Sequence, residues 1–271
     1  MCIKYTYYYS RSLMSSKPLY QSFGAFLQCY KNPYATYKCL ESFRKIYPTS
    51  TIVLISDNGY DYTEMAKHFD CIYIHEKEQI LFIYEFFYTN IDFSYNTWGL
   101  IRRFKTALSF MKEEYMMWLE DDVSVNQKIT DTFRYDLNGF CPNSLSSTTI
   151  NKMKETYSFL DMNKKYSFSG HGGSVFHVAN MLKYLEKKEY VEDVMLQWKN
   201  YHLCSNVCQD LFFSILIHLN QGTVGSYEGH YDCYFHNPLI PVQHQYKVFY
   251  KVPLPKELQH LCSTDVFVDQ P

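Results

Sequence analysis

Short uninterrupted apolar runs recur along this chain, separated by longer stretches of mixed polarity. Residues 22–30 (SFGAFLQCY), 51–55 (TIVLI), 71–75 (CIYIH) and 115–119 (YMMWL) are too short for ordinary helices. They are also rich in β-branched and aromatic side chains, so each predicts a buried strand. Between the first two, residues 34–47 place Tyr37, Leu40 and Phe43 at helical spacing and stop before Pro48. Further helices are predicted at 62–69 and 98–112, the latter with Leu100, Ile101, Phe104, Leu108 and Met111 on one face. Strand–helix–strand–helix alternation with apolar strands predicts an α/β domain. Its central sheet is Rossmann-like and mostly parallel, with helices on both faces.

The pattern thins in the second half. Residues 138–165 are polar and sparsely patterned, and predict a long loop of the kind that covers a substrate. Residues 166–178 (YSFSGHGGSVFHV) hold Gly170, Gly172 and Gly173, which permit close backbone approach or a hairpin turn. A helix at 179–187, a strongly apolar helix from about 205 with Asp210 near its start, and a strand at 223–227 complete the reading. The predicted organisation is an arm over 1–20, one domain over 21–255 with halves 21–135 and 136–255, and a tail over 256–271. No internal repeat and no linker is visible.

Composition narrows the function classes. The 271 residues carry a net charge of -2 with a pI near 6.5, which argues against a general nucleic-acid or membrane-surface binder. No stretch is long and apolar enough to span a bilayer, and residues 1–17 lack the apolar core of a signal peptide. The expectation is a soluble, cytoplasmic protein without an integral membrane segment. The 27 tyrosines suit sugar and nucleotide surfaces, yet the accompanying Lys, Asn and Ile point to an AT-rich coding bias for most of them. Nine scattered cysteines, with only Cys204 and Cys208 close together, lack zinc-site spacing and read as reduced thiols.

The candidate chemistry gathers at residues 115–123 (YMMWLEDDV), where an apolar run ends in Glu120, Asp121 and Asp122. Three adjacent carboxylates repel one another unless water or a cation compensates them. On a strand end Glu120 and Asp122 share one face, and two converging carboxylates suit Mg2+ or Mn2+. The triplet reads either as the start of a solvated loop or as part of such a site. Asp57, after the strand at 51–55, reaches the same rim, where ligands sit in parallel sheets. Arg102, Arg103 and Lys105 are either a solvated helix face or a clamp on phosphate oxygens. Asp210 either complements a helix dipole or serves as a base, and His236 and His244 alone carry little weight.

Taken in order, these features resemble the GT-A class of nucleotide-sugar glycosyltransferases, family-2-like and of viral or bacterial type, over roughly residues 22–250. FLQCYKNPYATYKCLESFRKIYPTSTIVLISDNGYD resembles the first strand–helix–strand unit, WLEDDV the D-x-D motif, and SGHGG the glycine loop. Cys208-Gln209-Asp210 is similar to the x-E-D motif, and PVQHQYK to the C-terminal histidine element. The resemblance implies that the first half binds the nucleotide sugar and the second the acceptor. It implies Mn2+ or Mg2+ held by Asp122, Glu120 and His244, and a UDP- or GDP-type donor near Asp57, Arg102, Arg103 and Asp121. Gly172, Gly173, Trp118 and His171 would lie beside the donor or acceptor sugar. Asp210 would be the base of an inverting transfer to a glycan or glycoprotein hydroxyl, in the EC 2.4 class. A homodimer is compatible with it, and a viral origin would place the protein in host cytoplasm or virion.

Glu120 and Gln209 depart from the family's usual residues, which keeps open a catalytically inactive carbohydrate- or nucleotide-sugar-binding protein of the same fold. A nucleotidyltransferase would also pair acids with a metal. The Tyr30-Lys31-Asn32-Pro33-Tyr34 turn, however, lacks that class's phosphate-binding glycines.

Overall fold

The computed structural model describes residues 21–29, 31–56, 60–76, 93–140, 143–161, 163–170, 172–196 and 209–263. The arm, Asp57, His171, Cys204 and Cys208 lie outside the described residues.

The four predicted strands form where the apolar runs place them: β1 (Phe23–Cys29), β2 (Ile52–Ser56), β3 (Ile72–His75) and β4 (Tyr115–Leu119). Shorter strands follow: β5 (Ser124–Val125), β6 (Leu137–Gly139), β7 (Asn143–Ser144), β8 (Ser167–Phe168), β9 (Val175–His177), β10 (Val224–Ser226), β11 (His230–Asp232) and β12 (Val242–His244). Among the described residues seven strands make one sheet in the order β10-β6-β9-β4-β1-β2-β3. Only β9 runs antiparallel to its neighbours, β4 and β6. The fold is therefore mixed α/β with a mostly parallel sheet, as the alternation predicts.

The helices are α1 (Pro33–Ile46), α2 (Thr63–His68), α3 (Phe93–Phe110), α4 (Ser147–Thr156), α5 (Val178–Glu186), α6 (Lys188–Leu196) and α7 (Gln209–Leu219). Alternate strand side chains feed two cores. Ala25, Leu27, Leu54, Met117 and Leu119 pack with Cys39, Leu40 and Phe43 of α1 and Met65 and Ala66 of α2. Phe26, Val53, Ile55, Met116 and Trp118 pack with α3, α5, α6 and α7. Phe104 is wholly buried, its ring centroid 5.3 Å from Trp118, 5.0 Å from Phe176 and 4.6 Å from Phe213. Burying an aromatic ring of this size contributes about 1.5–3 kcal/mol. Trp118 is thus part of the α3-side core.

Two other expectations change. Residues 138–165 are not one long loop, because β6, β7 and α4 lie within them. Ser146 caps α4, its hydroxyl accepting from the Thr149 N–H at 3.0 Å. The helix α6 has no counterpart in the sequence reading. Residues from both predicted halves build the single large sheet. The start of the tail packs on α2 through a 3-10 turn at Lys256–Leu261, and Ser263 pairs with Asp61 by two backbone hydrogen bonds of 2.8 and 3.0 Å.

Register sets the position of the site. Leu27 pairs with Leu119 and Cys29 with Ser56, so β1, β2 and β4 end at one rim, where the chain turns into Glu120. Antiparallel β9 brings the glycine turn back beside that end. The Trp118 N–H donates to the Ser174 carbonyl at 2.8 Å, and the Gly173 N–H to the Trp118 carbonyl at 2.6 Å. A second sheet of three strands, β11-β12-β5, closes over the rim and pairs Asp232 with His244. No helix of the described residues is long and apolar enough to cross a membrane.

Candidate metal centre

The acid triplet forms a tight turn directly after β4, closed by the Val123 N–H donating to the Glu120 carbonyl at 2.9 Å. Glu120 and Asp122 face the same side, and β12 delivers His244 to them. His244 Nε2 lies 3.3 Å from Glu120 Oε2 and 3.5 Å from Asp122 Oδ1. One ligand atom from each of the three lies within 4.8 Å of the others. Asp122 and His244 are each only 4% exposed, so water screens their charges poorly.

The electrostatics show what the cluster lacks. Burial lifts the Asp122 carboxyl from its ordinary 3.8 to about 6, opposed by the His244 charge and reinforced by Glu120 and Asp121. For His244 burial disfavours the charged ring, but hydrogen bonds to Asp232 and Glu120 outweigh it and hold the imidazolium up to about 10. A proton on His244 thus takes the place of a cation among the acids. Asp122 Oδ1 is buried and has no hydrogen-bond partner. An orphaned buried carboxylate oxygen is costly, and a cation would satisfy it.

The donor set fits a divalent ion. Oxygens and an imidazole nitrogen about 2.1 Å from one ion stand about 3 Å apart as neighbours. The separations of 3.3 and 3.5 Å need little adjustment to reach that. Asp232 Oδ1 lies 2.8 Å from His244 Nδ1 and would keep a proton on that nitrogen, so that Nε2 would present a lone pair once an incoming cation displaced its proton. A carboxylate behind a ligating histidine fixes its tautomer and orientation in this way.

Gly172 makes the approach possible. A Cβ at that position would stand 2.8 Å from Val123 Cγ2, 2.9 Å from His244 Cδ2 and 3.0 Å from Glu120 Cβ. Gly173 has φ +93°, a left-handed conformation that favours glycine. His230 Nε2 donates to the Gly172 carbonyl at 2.9 Å, and the Tyr227 hydroxyl to the Gly173 carbonyl at 2.7 Å. Gly172 is therefore the floor beneath Glu120 and His244.

The remaining candidates are dispersed. Arg102 makes a two-pronged pair with Glu76 at 2.7 and 3.0 Å. Arg103 is wholly buried on α3, where burial draws its guanidinium down to about 10. Lys247 brings an ammonium to 3.7 Å from Asp122 Oδ2. Asp121, expected at the nucleotide, engages Asn32 and Tyr250 with its two oxygens. His236 packs against Tyr246 away from the acids, which leaves His244 as the C-terminal histidine of the site. Asp210 is the second residue of α7, and its side chain is outside the described structure.

Sequence reasoning missed Asp232, Lys247, Tyr250 and Asn32. All four act through pairing across strands or loops that show no periodicity. The only signal was the gathering of three histidines and one aspartate in 230–244.

No protein-family model matches the chain, and no curated protein sequence does. Among solved structures it is similar to a galactosyltransferase, LgtC, in complex with donor and acceptor sugar analogs. That likeness has 13% identity and a TM-score of 0.46, covering 88% of this chain and 99% of that one. It is also similar to the apo-form glycosyltransferase GlyE of Streptococcus pneumoniae TIGR4, at 14% identity and a TM-score of 0.42, covering 83% of this chain and 54% of that one. TarS of S. aureus gives 13% identity and a TM-score of 0.35 over 60% of this chain and 30% of that one. At such distance these likenesses carry no functional argument, and the site's own geometry has to.

Proposed function

We propose that this chain is a divalent-metal-dependent glycosyltransferase that moves a sugar from a nucleoside diphosphate sugar to a hydroxyl acceptor. One observation supports this above the others. Three motifs far apart in sequence (the acid triplet, the glycine loop and the C-terminal histidine) meet around an orphaned, buried Asp122 oxygen. That convergence, at the carboxyl rim of a mostly parallel sheet, is the arrangement the sequence resemblance implies.

Glu120, Asp122 and His244 would hold Mn2+ or Mg2+. Bound there, the ion would supply Lewis-acid stabilisation for a departing diphosphate. Lys247 adds a positive charge beside the same acids. The carboxyl rim near Asp57 is assigned to the UDP- or GDP-type nucleoside. Gly172 and Gly173 keep the backbone low, so that a sugar ring can approach the centre. Asp210 in the first turn of α7 is assigned as the base that takes the acceptor's hydroxyl proton, in an inverting transfer. Such a base contributes about 10²–10⁴-fold.

The test is turnover of a panel of nucleoside diphosphate sugars with Mn2+, measured as nucleoside diphosphate released. Turnover of at least one donor is expected, and Asp210→Asn should lower it about 10²-fold or more while leaving nucleotide affinity unchanged. Normal turnover in that variant would refute the base assignment. No turnover of any donor, with tight sugar or nucleotide-sugar binding, would instead identify a binding protein on the same fold.

A further inference from the structure

Asp121 stands between two ligand-bearing neighbours yet points away from them. Its Oδ2 accepts a hydrogen bond from Asn32 Nδ2 at 2.9 Å, and its Oδ1 accepts one from the Tyr250 hydroxyl. Both partners come from elsewhere in the chain. Asn32 occupies the position before α1 where a side chain ordinarily caps the helix, but it makes no capping bond. It donates to Asp121 instead. Tyr250 closes a 3-10 turn over Lys247–Phe249, a few residues past His244.

That short segment has little to hold its shape. None of the residues of the turn is buried. Its flanks, Gln245 at φ 69° and Lys251 at φ 58°, both adopt the left-handed conformation. Residues other than glycine keep that conformation only where their surroundings impose it. Apart from the His236 ring against Tyr246, the segment's anchors to the rest of the protein among the described residues lead to the acid turn or to α1. The Tyr246 N–H donates to the Asp122 carbonyl at 3.0 Å, and the Phe249 ring meets Tyr34 edge-on at 5.0 Å. The Tyr250 hydroxyl on Asp121 is the anchor at the far end.

We infer that Asp121 is a positioning residue: by fastening Tyr250 to the acid turn it sets the strap over residues 245–251, and with it His244, against Glu120 and Asp122. The inference rests on the metal-centre reading. It divides the acid triplet by role. The outer two acids face the ion and the middle one faces the scaffold, holding α1 through Asn32 and the C-terminal strap through Tyr250.

The test is titration of the full chain with Mn2+ alone, by calorimetry, without donor. Tyr250→Phe keeps the ring and removes only the hydroxyl. Losing an outer partner of a metal site typically weakens binding about 10–100-fold, and a loss in that range is expected. If Tyr250 acts through His244, the same substitution in a His244→Ala background should change affinity less than about twofold. A purely structural role would cost the same in both backgrounds, and that result overturns the inference. So does unchanged affinity in Tyr250→Phe when Asp122→Ala has lost binding. Asp121→Asn, compared across the same two backgrounds, repeats the test should Tyr250→Phe not fold. Undiminished Mn2+ binding by Asp122→Ala overturns the metal-centre reading itself, and the positioning role of Asp121 with it.

Discussion

A carboxylate as buried as that of Asp122 stays charged only beside a cation, and in this fold a protonated His244 takes that part. Replacing Asp122 with Ala should therefore abolish Mn2+ binding, read by calorimetry as a loss exceeding about 100-fold, since a ligand matters more than the groups behind it. Gly172→Ala should weaken Mn2+ as well. Its Cβ would press His244 and Glu120 apart at 2.9 and 3.0 Å, and overpacking of this kind costs about 1–3 kcal/mol in denaturant unfolding. If Gly172→Ala bound Mn2+ normally, the glycine would not be the floor of the site. Glu120 and Asp122 were legible in the sequence because three acids after an apolar run are chemically conspicuous, whereas His244 was legible only through the resemblance of PVQHQYK. Asp232 and Lys247 were not, because an isolated Asp or Lys in an aromatic tail looks like ordinary surface. Asp121 was legible as an acid but not in its role, which depends on Asn32 and Tyr250, far away in the chain.

At the scale of elements, legibility followed length. The strands β1 to β4 span four to seven residues and alternate with patterned helices, so apolar periodicity located them within a residue or two. The small sheet that delivers His244 consists of strands of two or three residues, too short to show any period. The loop expected over 138–165 failed for the same reason, since β6, β7 and α4 are brief and mostly polar. Packing of α3 on the sheet offers a separate test of the core. Phe104→Ala removes a wholly buried ring from an aromatic cluster and should cost about 3–5 kcal/mol by urea unfolding. Because Phe104 lies on the far side of the sheet from α1, Mn2+ affinity of the folded variant should stay within about twofold of the parent.

For the whole molecule, stability should respond to both metal and pH. A cation that binds only the folded chain adds about 2.7 kcal/mol at a hundredfold excess over its Kd, so Mn2+ should raise the unfolding temperature and Asp122→Ala should remove the rise. His218 sets a pH dependence of its own. It is buried on α7 with Nε2 at 2.6 Å from the Ser167 carbonyl, and burial lowers its pKa below the ordinary 6.5. The unfolded chain takes up a proton near pH 6.5 that the folded ring resists. His218 therefore contributes full stability above that pH and loses it as the pH falls. The parent should lose stability relative to His218→Gln between about pH 7 and 5, by no more than about 1.4 kcal/mol per pH unit. A constant difference between the two across that window would show that His218 does not titrate with unfolding.

The reading of this molecule as a metal-dependent sugar transferase depends most on whether the cluster at Glu120, Asp122 and His244 binds a nucleoside diphosphate through a cation. Calorimetric titration of the full chain with UDP and with GDP, in Mn2+ and again in EDTA, tests that directly. One of the two nucleotides should bind in Mn2+, bind at least about tenfold more weakly in EDTA, and lose its Mn2+ dependence in Asp122→Ala. Equal affinity with and without the metal, or no binding of either nucleotide to the Mn2+-loaded protein, would contradict it.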